Sequence, residues 1–179
     1  MCMIWESWHW KKPLLEMAGR LRSLKNAKEL DQETLVQLER DIFIGFYSVR
    51  KLFDTVTKVT DATKNSKVRV RWHANLKPVT WRNNHRIDQC YNLSISNREM
   101  HDARFVAGRI IHSFIFVPVI DEGGGLEGIL FTSDIDKNEK LYSLDIDEVI
   151  ALFERVGNDD PTSIRWMKHP SGLETTEVS

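Results

Sequence analysis

Seven cations and no carboxylate stand between residues 62 and 87: Lys64, Lys67, Arg69, Arg71, Lys77, Arg82 and Arg86. Residues 121–160 are the reverse, with twelve acids against three bases, although the whole chain sums to −1. Side chains of this kind act by charge. The basic segment, 64–86, can hold the carboxylates of an acidic protein partner or the phosphates of a nucleic acid, and Trp81 beside Arg82, His85 and Arg86 adds a ring able to stack on a base. Lys67, Arg69, Arg71 and His73 supply the remaining contacts of either surface. The competing reading is internal: the same cations pair with the acidic segment or are solvated.

No other constellation carries comparable weight. His101-Asp102 resembles the ligand pair of helical metal-dependent phosphohydrolases, but strands are expected around it here. His112, on the same expected helix, stands eleven residues on, about 16 Å away at the rise of a helix, and Asp102 is expected to pair with Arg98 or Arg109. Asp134-Ile135-Asp136-Lys137-Asn138 matches the start of a calcium loop, yet Glu139 stands where the loop needs Gly and Asp145 where it needs Glu. The glycines at 123–125 have Asp121, Glu122 and Glu127 around them, which repel phosphate and leave a flexible hairpin turn. Cys90 has only His85 and His112 as conceivable activating partners, and alternation puts it on the polar side of a strand. No residue is therefore assigned to catalysis, to a metal or to a cofactor. Trp5 and Trp8 can share a helical face, offering an apolar contact to a protein partner or a second copy, or latching onto the chain's own core.

The elements that position these residues follow from hydrophobic period. Pro13 suits a first helical position, and Leu14, Ala18, Leu21 and Leu24 follow at helical steps. Asp31 is an N-cap for a long helix over 32–60, whose stripe runs Leu35, Leu38, Ile42, Phe46, Val49, Phe53, Val56 and Thr60. From residue 66 the period is two: Val68, Val70 and Trp72 face a core, with Arg69, Arg71 and His73 opposite. Ile87, Tyr91, Leu93 and Ile95 read as a second strand, and Asn97 as the cap of a helix burying Met100, Ala103, Ala107, Ile110 and Ile111. The apolar run from Phe114 to Ile120 reads as a strand that is central or covered on both sides. Residues 126–132 return as its hairpin partner, 140–144 as a further strand, and 163–167 as a last one. Asp145 with Glu148 forms a capping box for a helix stopped by Gly157.

The expected architecture is α+β: an N-terminal helical hairpin or long helix packed on a mainly antiparallel sheet with two further helices. Residues 1–61 form the helical region, 62–170 the sheet region of what reads as the same domain, and 171–179 a disordered tail. A chain of 179 residues, 41% hydrophobic, can bury a sizeable core, and its pI near 6.6 excludes a generally basic nucleic-acid binder. Cys2 and Cys90 make no disulfide framework, the start lacks the pattern of a secretory signal, and no apolar run reaches membrane length. The sequence therefore reads as a cytoplasmic, non-enzymatic protein-interaction module. The alternative is a nucleic-acid-binding or nuclease-like protein using residues 64–86, with no membrane association in either case.

Overall fold

The computed structural model describes residues 4–169, 171 and 174–179; Cys2 and residues 172 and 173 of the tail lie outside them. Helix α1 spans Trp8–Leu24 and α2 Gln32–Asp54. The Ser7 carbonyl accepts from the Trp10 and Lys11 amides, both at 2.9 Å, and so starts α1 upstream of Pro13, which stands inside the helix and not at its first position. Asp31 caps α2 as expected, accepting from the Thr34 amide at 2.8 Å. The two helices are clamped by Arg20, which donates from Nε and Nη2 to the buried Asp41 carboxylate at 2.7 and 2.8 Å; Gln37 adds a third bond at 2.9 Å. A buried carboxylate satisfied by three donors is tolerated, whereas loss of Arg20 would strand it.

The α2 stripe is buried from Leu38 through Phe53, but the helix ends at Asp54 and not at residue 60. The Thr55 hydroxyl donates to the Lys51 carbonyl at 2.9 Å, Thr57 adopts a φ of 73°, and Thr60 opens a separate single turn, α3, at Asp61–Lys64. Asp159 fixes that junction, accepting from the Thr60 amide at 2.9 Å and its hydroxyl at 2.6 Å.

Five strands form one sheet: β1 Lys67–Ala74, β2 Asn97–Asp102, β3 Ser113–Ile120, β4 Leu126–Ser133 and β5 Lys140–Asp145. Their order is β2-β1-β5-β4-β3, antiparallel throughout. Helices α5, Ala103–Ile111, and α6, Ile146–Gly157, pack against its inner face, and α1 and α2 pack mainly on those two helices around the same core. The α+β architecture anticipated from the sequence is thus the one observed. Helices α2 and α6 approach closely at Gly45 of α2: a Cβ there would lie 2.2 Å from Phe153 Cζ of α6, and the Phe46 ring meets Phe153 edge-on at 5.3 Å.

Several local expectations are overturned. Residues 97–102 are not the start of a helix but strand β2. Their backbone completes the free edge of β1, and Met100, expected inside, is 56% exposed. Residues 87–95 are not a strand. They contain one helical turn, α4, at Ile87–Cys90, within an excursion over 75–96 that lies across the outer face of the sheet. Here Val79, Cys90 and Tyr91 pack on Ile115 and Leu141 in a second, smaller core, and the Tyr91 hydroxyl donates to the Lys137 carbonyl at 2.6 Å.

Of the two readings of strand β3, central or covered on both sides, the second is the one observed, because β3 lies at an edge of the sheet. Its apolar character comes from cover on both sides, by Phe43 of α2 against Phe116 at 5.0 Å and by Trp81 of the excursion against Phe114 at 4.4 Å. An edge position also accommodates Pro118, which lacks an amide for a second neighbour. The expected capping box at α6 does not form, because Asp145 is drawn to Arg71 and Glu148 accepts from the Arg69 amide. Gly157 belongs to α6 and does not stop it; a side chain there would meet Leu15 Cδ2 at 2.6 Å, and Asn158 is the C-cap. The last expected strand is β6, Ile164–Lys168. The tail is not wholly disordered: Glu174–Val178 forms β7, paired with β6 and tied to the body where the Val178 amide donates to Asp61 at 2.9 Å.

Phe46→Ala is expected to lower the unfolding free energy by about 3–5 kcal/mol. Gly45→Ala must displace the Phe153 ring and should cost about 1–3 kcal/mol. Urea denaturation followed by circular dichroism measures both, and an unchanged midpoint for Phe46→Ala would put that ring outside the core.

Candidate binding surfaces

Strand alternation turns Val68, Val70 and Trp72 toward the helices and Lys67, Arg69, Arg71 and His73 outward. Register then brings other residues beside them: β2 sets Arg98 directly opposite Arg71 and Met100 opposite Arg69, and β5 sets Ser143 on the other side of Arg71. Arg71 is ion-paired with Asp145. Among the described residues the guanidinium groups of Arg69 and Arg98 have no carboxylate partner, although both flank the same shallow depression as Arg71, Ser143 and Asp145. Lys67 pairs at 2.6 Å with Asp102, which therefore does not pair with Arg98 or Arg109. His73 lies under the excursion, its Nδ1 donating to the carbonyls of Asn92 and Ile95 at 3.3 and 3.0 Å.

The basic segment is thus divided. Lys67, Arg69 and Arg71 lie on the open end of the outer sheet face, whereas Trp81, Arg82, His85 and Arg86 belong to the excursion over its other end. Trp81 remains 78% exposed despite its contact with Phe114, and His85 accepts from Arg86 Nε at 3.4 Å. Nor is the acidic segment neutralised mainly by the basic one. Apart from Arg71–Asp145 and the local pair Lys137–Asp134, its ion-pair partners among the described residues are Arg22 on Glu154 at 2.6 Å and Lys25 on Asp147 at 2.5 Å, both from the end of α1, and Arg109 on Asp136 at 2.6 Å.

Other sequence candidates resolve into structure. Cys90 is fully buried at the end of α4, not on a polar strand face, and its thiol donates to the Asn83 carbonyl at 3.6 Å; His85 and His112 are both exposed. The stretch that resembled a calcium loop is the turn between β4 and β5, where Asp134 pairs with Lys137 at 2.5 Å and Asp136 with Ser133 at 2.8 Å. The glycines at 123–125 are not a loose turn: Gly124 has a φ of +90°, and Cβ atoms on Gly124 and Gly125 would lie 2.0 and 2.2 Å from the Lys28 and Lys25 carbonyls. Asp121 accepts from the Gly123 and Gly125 amides at 2.7 and 2.9 Å, so these amides are taken. Trp5 and Trp8 are 84% and 55% exposed, while Trp10 tilts against Tyr47 at 6.3 Å.

A cluster that the sequence reading missed lies on the helical side of β2. Glu99 accepts from His101 Nε2 and from Lys140 Nζ, each at 2.8 Å; the imidazole stacks on Phe105 at 4.2 Å, and Lys140 sits over the Trp72 ring at 4.4 Å. It was invisible because a helical reading of 97–102 separates Glu99 from His101 by half a turn, whereas a strand puts them on one face. The histidine is oriented by a carboxylate, as a general base would be, but the Tyr142 hydroxyl, whose ring stands edge-on to the imidazole at 6.0 Å, is pushed up to about 12 by burial first and by Asp136 second, and stays protonated.

Burial raises the Glu99 carboxyl, but hydrogen bonds from Lys140 and His101, with their charges, outweigh it and hold the group below its ordinary value of 4.5. The folded state then binds this proton less readily than the unfolded chain, so the stability from Glu99 is present above pH 4.5 and is lost as pH falls through the lower, folded value. Glu99→Gln should therefore flatten the fall in stability below pH 4.5, read from urea midpoints across a pH series. An unaltered slope would show that the carboxylate is not held by its neighbours.

No helix among the described residues is long and apolar enough to cross a membrane. No protein-family model, curated protein or solved structure matches the chain.

Proposed function

We propose that the protein is a non-enzymatic interaction module that receives an acidic protein segment on the open end of the outer sheet face. The observation that carries this is the facing pair Arg71 and Arg98, with Arg69 alongside, around one shallow depression on the outer face. Like charges set directly opposite across two strands are destabilising on their own, and the one carboxylate of Asp145 does not neutralise three guanidinium groups. A partner carboxylate between Arg69 and Arg98 would gain charge-assisted bonds, and exposed Met100 would gain apolar contact. Asp121, Glu127, Asp147 and Glu148 rim the neighbouring depression. That rim confines an acidic segment to a short contact at the arginines and repels a long phosphodiester track. The setting is cytoplasmic, in keeping with the free thiol of Cys90.

The exposed ring of Trp81, with Arg82, His85 and Arg86 on the same excursion, supports the second reading, a single-stranded nucleic-acid contact by stacking. Fluorescence anisotropy separates the two. A labelled Glu-rich peptide should bind wild type, bind Arg82→Glu/Arg86→Glu equally well, and lose most affinity for Arg69→Glu/Arg98→Glu. Neither double variant breaks a described ion pair, so folding should be little changed. Oligonucleotide binding tighter than about 1 μM at physiological salt, lost in Arg82→Glu/Arg86→Glu, would replace the first reading with the second.

A further inference from the structure

On the helical side of the sheet, away from the arginine face, α2, α3 and α5 enclose a cleft of about 510 Å³. Four cations from these elements line it: Arg50, Lys64, Arg104 and Arg109, against one lining carboxylate, Asp102, which Lys67 already occupies at 2.6 Å. Each of the four is held from behind. Asp54 accepts from Arg50 Nε at 3.0 Å and from Arg104 Nη1, the Phe53 carbonyl accepts from Arg104 Nη2 at 2.8 Å, and Asp61 lies 3.6 Å from Lys64. Arg109 Nε lies 2.6 Å from Asp136, an ion contact without the alignment of a hydrogen bond, and its guanidinium stands over Phe105 at 4.7 Å.

These contacts use one edge of each group. An arginine carries five N–H donors, and among the described residues the Nη groups of both Arg50 and Arg109 have no protein acceptor. Gly108 lies between them on α5; a Cβ there would be 3.4 Å from Arg50 Nη1, so the free end of Arg50 lies over the cleft floor. Orientation by carboxylates behind, with forks left open in front, is how a site is preorganised for an anion.

We infer that this cleft binds a small molecule bearing a phosphate monoester, with Phe105 as an apolar wall for the remainder. A carboxylate is satisfied by a single fork. The three oxygens and near double charge of a phosphoryl group match two open forks and the Lys64 ammonium, and the volume is that of a small-ligand site. The inference is independent of the acidic-segment reading, which uses the opposite face.

The test is titration of the full chain with phenyl phosphate, followed by calorimetry, with benzoate in parallel. The expected result is saturable binding to one site, with benzoate weaker by about tenfold or more. Arg50→Gln and Arg109→Gln should each weaken phenyl phosphate by about tenfold or more. Gly108→Leu should abolish binding by filling the cleft, and Arg98→Glu should leave it unchanged. No saturation by about 10 mM, benzoate equal to phenyl phosphate, or wild-type affinity in Arg50→Gln, Arg109→Gln and Gly108→Leu would each overturn the proposal. Circular dichroism verifies each fold; if one glutamine variant does not fold, Arg50→Lys, which keeps charge but loses the fork, should still weaken binding, and wild-type affinity in it overturns the proposal.

Discussion

The pairing of β1 with β5 is the contact on which the rest of the molecule depends. It joins segments about 70 residues apart, with Arg71 opposite Ser143 and Trp72 opposite Tyr142, and so closes the largest loop in the sheet. Its register decides both faces at once. Because side chains alternate, a slip of one residue would turn Trp72 outward and Arg71 into the helices, where a charged group costs several kcal/mol or more. With the observed register, Lys140 reaches Glu99 and the Trp72 ring on one side, and Asp145 reaches Arg71 on the other. The exposed ion pair itself contributes about 0–1 kcal/mol, so hydrophobic burial of Val68, Val70, Tyr142 and Leu144 holds the register, and the charges follow from it.

Where period was unambiguous, the sequence was a sufficient guide. The stripe from Leu38 to Phe53 and the alternation of Val68, Val70 and Trp72 were both legible because a single solvent-facing side leaves one residue type on each face. Reading failed where tertiary cover supplied what local pattern lacked. Met100 keeps helical spacing with Ala103 and Ala107, yet the unpaired edge of β1 drew 97–102 into a strand. The apolar run in β3 looked central because Phe43 and Trp81, far apart in sequence, cover its two sides. Of the candidate surfaces, Arg69 and Arg71 were visible as a pair; Arg98 was not, since only the β1–β2 register puts it opposite Arg71. The cleft cations were invisible for a similar reason: Arg50, Lys64 and Arg109 belong to three elements, and no spacing along the chain relates them.

The charge polarity of the chain has a simple physical resolution. Two of the acids of 121–160 lie where α6 runs beside the end of α1, and Arg22 and Lys25 neutralise them there. This frees the basic segment from a purely compensating role. Of the acids of 121–160, among the described residues, Asp145 and Glu148 alone engage β1, the latter through the Arg69 backbone and not its side chain. Cations that have a structural duty are recognisable by their partners: Arg20 on buried Asp41, Lys67 on Asp102, Lys140 on Glu99. Among the described residues the guanidinium groups of Arg69 and Arg98 have none.

Edge protection sharpens this distinction. A bare strand edge invites pairing with another chain, and charged side chains on it are a common defence. At β3 the protection comes from Pro118 and from flanking cover; at β2 it comes from Arg98, Glu99, His101 and Asp102 within six residues. Defence of the edge needs charge but is indifferent to its sign. Glu99 and His101 complement each other, and Asp102 complements Lys67, so for these residues sign is settled inside the fold. Arg98 alone of the four is set against a like charge, where an acid would both protect the edge and pair with Arg71. Edge protection therefore explains why residue 98 is charged and leaves its sign to be explained by what the face binds.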